Sequence, residues 1–222
     1  MGVCAFFKPF PAFEFFLLPN IVHARPSASN ASRWAAPFCF HRCERLISTL
    51  HEPIRLLEPT EGFRDEFLSL LNDLHQTGET LSNAELARTD FAAYVRHLHD
   101  QSQGRGLPAG YVPASTFWLV KGNQIILGAS QLRHSLTPAL EAYWGQIGYL
   151  IRPSQRRKGY GTLILKLTVV KAHELGIQRV RVTCDTDNIG SACIIERNGG
   201  TLSGYSIDPK DGKRTSQYWI EL

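Results

Sequence analysis

The segment that constrains this chain most is a strand that has to stop, a basic glycine loop, and an amphipathic helix. It reads Gly148-Tyr-Leu-Ile-Arg-Pro-Ser-Gln-Arg-Arg-Lys-Gly-Tyr-Gly-Thr162. The apolar run ends at Ile151, and Pro153 cannot donate to a strand ladder, so pairing terminates there. Beyond the loop, Tyr160, Leu163, Ile164 and Leu167 recur at helical spacing. The first N–H groups of a helix lack intrahelical partners and sit at the positive end of its dipole, which favours an anion. Gly159 and Gly161 let a phosphate approach the backbone, and Arg156, Arg157 and Lys158 add positive charge around it. Taken alone, the same residues also describe a solvated basic turn.

The surrounding pattern runs from Ile54 to the end. Ile54-Arg-Leu-Leu reads as a first strand, and Thr60 caps a helix whose apolar face is Phe63, Phe67, Leu70, Leu71 and Leu74, stopped by Gly78. A second helix is predicted around Phe91, Tyr94, Val95 and Leu98, followed by a Gly/Pro-rich loop over 101–115. Segments 116–120 and 125–132 form a hairpin, and 143–151 is the next strand. A helix over 160–175 closes at Gly176, and Val180, Val182 and Cys184 alternate along a further strand. A short helix over 188–198 ends at Gly199-Gly200, and strands near 202–207 and 215–222 finish the chain. The expected fold class is α+β, with a mixed, mostly antiparallel sheet flanked by helices.

Residues 1–50 differ in kind. They hold eight of the twelve Phe and five of the twelve Pro without strand or helix periodicity, and 24–37 resemble an Ala/Ser/Pro linker. The expectation is a poorly ordered, dispensable N-terminal extension before a domain over 51–222. Glu14 and three prolines inside the apolar stretch oppose a secretory signal ending at Val22-His23-Ala24, and Phe6 opposes myristoylation at Gly2. Five basic and two acidic residues give this extension a net charge of +3, leaving only +1 for the other 172 residues. The body therefore has no general polyanion surface, and nucleic acid is not an expected partner. No stretch reaches the roughly 18 apolar residues of a membrane helix, so no membrane partner is expected. Cys39, His41 and Cys43 lack the second half of a zinc site, so no metal is expected. Few, scattered cysteines suit a reducing cytoplasm.

Arg156-x-x-Gly159-x-Gly161 matches the Arg/Gln-x-x-Gly-x-Gly/Ala signature of the GNAT N-acetyltransferase superfamily. Ile151-Arg-Pro153 resembles that family's strand end, and Asp187–Gly200 resembles its Asn-x-x-Ser/Ala…Glu-Lys-x-Gly-Phe helix. The resemblance extends over about 54–222 and is strongest over 145–200. It implies a GNAT-like acyltransferase fold and acetyl-CoA as co-substrate, with no metal. The amides of Arg156, Arg157, Lys158, Gly159, Tyr160, Gly161 and Thr162 would cradle the pyrophosphate. The strand backbone at Tyr149 and Ile151 would pair with the pantetheine and offer an oxyanion donor. Asn188, with Ser191 nearby, would hydrogen-bond the pantetheine arm, besides capping its own helix.

The departures bear on chemistry. Many family members carry a Tyr in the last helix that protonates the leaving thiolate; the corresponding residue here is Ile195. Branches resembling this one, such as ribosomal-protein N-terminal acetyltransferases, also do without it. A thiol of pKa about 8.5 leaves fairly without an assigned acid. The candidates for acid or base are His134, Glu141 and Tyr205, none tied to the thioester by spacing. The expected activity is acetyl transfer to a primary amine of a small molecule or peptide, the acceptor pocket being built by 60–115. The alternative is a non-catalytic acyl-CoA-binding regulatory module, and a homodimer stays open. A dinucleotide-binding oxidoreductase is excluded: Ile164 stands where its third glycine belongs, and about sixty residues after Gly161 are too few to complete that fold.

Overall fold

The computed structural model describes residues 52–208 and 212–222. The expected extension over 1–50 lies outside the described residues. Twelve main elements follow in order: β1 (Ile54–Leu57), α1 (Arg64–Gln76), α2 (Ala84–Thr89), α3 (Phe91–Ser102), β2 (Ala114–Lys121), β3 (Ile125–Arg133), β4 (Ile147–Ile151), α4 (Tyr160–Glu174), β5 (Arg179–Asp185), α5 (Ile189–Arg197), β6 (Thr201–Ile207) and β7 (Arg214–Glu221). The strands form one seven-stranded sheet in the order β1-β2-β3-β4-β5-β7-β6. Every pairing is antiparallel except β4 with β5. The α+β class and the mixed sheet flanked by helices are thus the architecture of the described residues.

Two layers of helix cover the two faces. Trp118 of β2 stacks on Phe67 of α1 at 5.0 Å and on Phe91 of α3 at 6.3 Å, so α1 and α3 lie on its face. Ser130 of β3, one position off in the alternation, hydrogen-bonds Thr168 of α4 at 2.7 Å. Cross-strand partners share a face. Thr116, Trp118, Ala129, Gln131, Gly148 and Leu150 therefore look toward α1 and α3, while Ser130, Tyr149 and Ile151 look toward α4.

Three local readings need correction. Thr60 makes no capping bond to α1; a 3-10 turn, Glu61–Phe63, intervenes and Phe63 occupies the helix N-cap. The segment before Phe91 contains a further helix, α2, and Asp90 caps α3 by accepting from the Ala93 N–H at 2.8 Å. The strand expected over 143–151 begins only at Ile147, because Leu140–Trp144 forms a π-helical turn. Gly145 ends that turn at φ 66°. A Cβ there would lie 2.8 Å from the Arg181 carbonyl oxygen, so both the conformation and the contact require glycine.

Arg152 fastens the end of β4 to α1. Its Nε donates to Asp73 Oδ2 at 2.6 Å, and its other nitrogens bond Glu66 and Ser69 Oγ. The Asp73 carboxyl is held below its ordinary range, chiefly by that hydrogen bond from Arg152. A folded-state pKa below the unfolded one gives stability that is present above 3.8 and lost as pH falls through the folded value. Arg152→Met would leave two partly exposed carboxylates facing each other without a cation. Solvent screening keeps the loss near about 2 kcal/mol, or roughly 4–8 °C in Tm. Melting curves from pH 2 to 7 should also show a weaker acid dependence in the variant; identical curves would refute this role.

Candidate functional site

The cleft begins where two parallel strands part. β4 and β5 share the single register pair Ile147↔Val182, whereas β3 follows β4 from Ile147 to Ile151. The Arg152 N–H donates to Leu127 O at 2.9 Å, and Arg133 N–H to Gln146 O at 2.9 Å. By the two-residue alternation, the backbone polar groups of Tyr149 and Ile151 point away from β3, toward the diverging strand. A wedge-shaped opening thus widens toward the C-terminal ends of β4 and β5.

The glycine loop and α4 start at the mouth of that wedge. Arg157 at φ 64° and Gly159 at φ 85° are left-handed positions two residues apart, which turns successive N–H groups toward one side. Gly159 is the N-cap of α4, and the Leu163 N–H is bonded to its carbonyl at 3.2 Å. The Tyr160, Gly161 and Thr162 amides therefore lie in the first turn, where no intrahelical acceptor exists. A Cβ on Gly159 would meet no described residue within 4 Å. A Cβ on Gly161 would lie 2.6 Å from Ile194 Cδ1 of α5, so this glycine serves the close approach of two helices. The sequence reading assigned both glycines to phosphate access; in the structure only Gly159 faces open space.

The three basic side chains of the loop differ in engagement. Arg156 makes a bidentate pair with Glu79 at 2.8 and 2.7 Å, and its Nε donates to Ile151 O at 2.9 Å. Its guanidinium therefore clasps the loop to the segment after α1. Lys158 is exposed and bonds Ser154 O and Gln155 Oε1, and Arg157 is exposed beside it. Across the wedge, Asn188 is buried and its Oδ1 accepts from the Ser191 N–H at 3.1 Å, capping α5. Ser191 is buried too, and Ile195 is fully buried in the core.

The three acid–base candidates are not gathered in one place. His134 follows the C-terminal end of β3, at the opposite end of the sheet from the glycine loop, with Nε2 2.8 Å from Ser115 Oγ. Burial pushes its imidazole below the ordinary range. Glu141 is exposed on the π-helical turn. Tyr205 is half-exposed on the outer strand β6, two strands beyond β5, under the Arg214 guanidinium at 4.1 Å. Among the described residues, no cluster of His, Cys, Asp or Glu is arranged to hold a metal. No described helix is long and apolar enough to cross a membrane.

Sequence reasoning missed a polar strip on the α1/α3 face. Thr116 and Gln131 are buried partners across β2 and β3, followed by Gly148 of β4. Among the described residues, Thr116 Oγ1 has no hydrogen-bond partner. A small cleft lined by Glu58, His99, Ser102, Ser115 and Thr116 opens beside this strip. The available signal was two polar residues inside otherwise apolar strands.

A sheet split between parallel strands, with a glycine loop and helix start at the opening, makes a site for an anionic ligand with a strand-like arm. The model of the acetyltransferase (GNAT) domain matches residues 55–201, and the chain belongs to the GNAT acetyltransferase family. It is accordingly an acyltransferase. Solved structures share the fold. The microcin C7 self-immunity acetyltransferase MccE, in complex with acetyl-CoA and AMP, is 18% identical with a TM-score of 0.57, over 76% of this chain and 92% of that one. The Salmonella typhimurium acetyltransferase that modifies the N-terminal serine of ribosomal protein L7/L12 is 19% identical, TM-score 0.56, over 76% and 95%. Mycobacterium smegmatis RimJ, in complex with CoA-disulfide, is 15% identical, TM-score 0.58, over 76% and 82%. No curated protein matched the chain.

Proposed function

We propose that this protein moves the acetyl group of acetyl-CoA to a primary amine of a small molecule or peptide, in the cytoplasm. The observation that carries the reading is the single Ile147↔Val182 pair between β4 and β5, with the Gly159 turn at the mouth of the wedge. MccE is held with acetyl-CoA and AMP, and RimJ with CoA-disulfide, in the same fold. The residues fit such a ligand: a pyrophosphate suits the first-turn amides of α4, where Gly159 leaves open space. Arg157 and Lys158 supply charge there, while Arg156 fixes the loop through Glu79. The backbone of Tyr149 and Ile151 offers strand-like bonds to a pantetheine, and Asn188 and Ser191 border it from α5.

Bound acetyl-CoA supplies an activated thioester; the chain supplies position and polarity. The wedge holds the carbonyl against β4, where a backbone N–H stabilises the charge that develops on its oxygen. Orientation of the amine against that carbon provides much of the acceleration. Ile195 is buried and has no ionisable proton, so no side-chain acid is assigned.

An ammonium acceptor of pKa about 10.4 must lose a proton before attack. The rate should therefore rise with pH and level off, without an alkaline fall. The test mixes acetyl-CoA with an amine panel, follows release of the CoA thiol, and then records pH–rate profiles for wild type, His134→Gln, Glu141→Gln and Tyr205→Phe. Absence of thiol release with every amine would favour a non-catalytic acyl-CoA-binding module. A bell-shaped profile whose alkaline limb vanishes in one variant would identify an acid and overturn the acid-free reading.

A further inference from the structure

We propose that Arg133 is the specificity residue of the acceptor site, and that the acceptor amine carries an anionic group, carboxylate or phosphate, which Arg133 binds. The inference rests on the acetyl-transfer reading above.

The two substrates of a direct transfer have to reach one carbonyl from different directions. α4 lies on one face of the sheet and its first-turn amides meet the wedge from there, so the acceptor comes from the other face, beneath α1 and α3. Arg133 stands on that second face. It pairs with Ala114 of β2, and its N–H bonds Gln146 at the entry to β4, in the same alternation as Gln131 and Gly148. Ordinary strand geometry puts its Cα about 8 Å from that of Gly148; the guanidinium rests on the Gly145 carbonyl at the entry of β4, and a change of rotamer would swing it toward Gly148.

The chemistry of the position is that of a cation awaiting a partner. Arg133 is half-buried, and among the described residues its guanidinium makes one hydrogen bond, from Nη1 to Gly145 O at 3.2 Å. The other enclosed arginines among the described residues are engaged: Arg152 with Asp73 and Glu66, Arg156 with Glu79, and Arg181 with Ser203, Gln217 and the Glu141 carbonyl. No carboxylate pairs with Arg133 among the described residues. Burial pushes its guanidinium down to about 10, without an opposing charge to raise it. A desolvated, unpaired cation is unfavourable unless something else completes it. Thr116, also on this face, is buried with its hydroxyl unsatisfied among the described residues, a second polar group for the same ligand. A fork of N–H donors matches a carboxylate or phosphate in particular.

The test uses matched amines: 4-aminobutyrate with 4-aminobutanamide, and O-phosphoethanolamine with ethanolamine. Acetylation is followed by CoA thiol release, and binding by the melting temperature in the presence of CoA. One anionic member should be preferred by about tenfold or more in kcat/KM, and which one identifies carboxylate or phosphate. Arg133→Gln should erase that preference through KM, and Arg133→Lys should keep part of it. Both variants should retain the acetyl-CoA-induced melting shift. The ligand-free melting temperature of Arg133→Gln should equal or exceed wild type, since an unpaired cation is removed, whereas a structural arginine would lower it. The inference is overturned if neutral amines are preferred, if Arg133→Gln slows both members of a pair equally, or if neither anionic probe is acetylated or raises the melting temperature over CoA alone. Loss of the acetyl-CoA shift in wild type itself would remove the acetyl-transfer reading, and this inference with it.

Discussion

Gly128→Val should lower the melting temperature by roughly 6–12 °C and abolish acetyl-CoA binding, the largest stability effect of any single substitution we expect. The cause is a bulge. Leu119 pairs with Gly128 but Val120 pairs with Ile126, so Leu127 is an extra residue in β3. That residue is not idle: Leu127 O accepts from the Arg152 N–H at 2.9 Å and holds the end of β4 in line. The bulge brings Gly128 against β4 so closely that a Cβ would strike the Leu150 carbonyl oxygen and lie 2.8 Å from Ile151 Cδ1 and 3.2 Å from Ile151 Cα. Two of those neighbours are backbone atoms, which cannot rotate away. β3 or β4 would have to shift, at a cost of about 3 kcal/mol or more, and a domain of this size loses about 2–4 °C per kcal/mol. The displaced strand is the one whose free edge faces the wedge, so binding should fail together with stability. Gly128→Ala should move both quantities in the same direction by less. Wild-type melting in Gly128→Ala would mean that β3 and β4 have room for a methyl group at this contact.

The elements legible in the sequence were those with a local cause. Pro153 and Gly159 punctuate β4 and α4, Gly176 follows α4, and the apolar face of α1 recurs at i, i+3, i+4 and i+7, so their places follow from spacing alone. The π-helical turn at Leu140–Trp144 was illegible because its partners are distant: the Glu141, Ala142 and Tyr143 carbonyls accept from Arg181, Gln217 and Thr183 of β5 and β7. The site divides the same way. The glycine loop announces itself in one continuous stretch. The Arg156–Glu79 clasp and the strip of Thr116, Gln131 and Arg133 join residues far apart in the chain, and only strand register reveals that they share a face.

The paired glycines of the loop should part company on mutation. Gly159→Val puts a β-branched residue at φ 85°, a strain of roughly 1–2 kcal/mol, into space that no described residue fills. Its side chain would stand before the first-turn amides of α4. The apo protein should therefore melt only a few degrees lower, while the dissociation constant for acetyl-CoA rises by about 100-fold or more, since both the phosphate approach and the amide geometry are lost. Gly161→Val acts on packing instead. The new Cβ falls 2.6 Å from Ile194 Cδ1, which pries α4 from α5 at about 1–3 kcal/mol. That neighbour is the end of a flexible side chain, so shortening it should relieve the clash. The double variant Gly161→Val/Ile194→Ala should regain stability and acetyl-CoA affinity relative to Gly161→Val, a coupling measurable as a double-mutant cycle. Ile194→Ala should do nothing for Gly159→Val. If the double variant remains unable to bind while its melting temperature recovers, Gly161 guards the phosphate after all, and the division of labour between the two glycines is wrong.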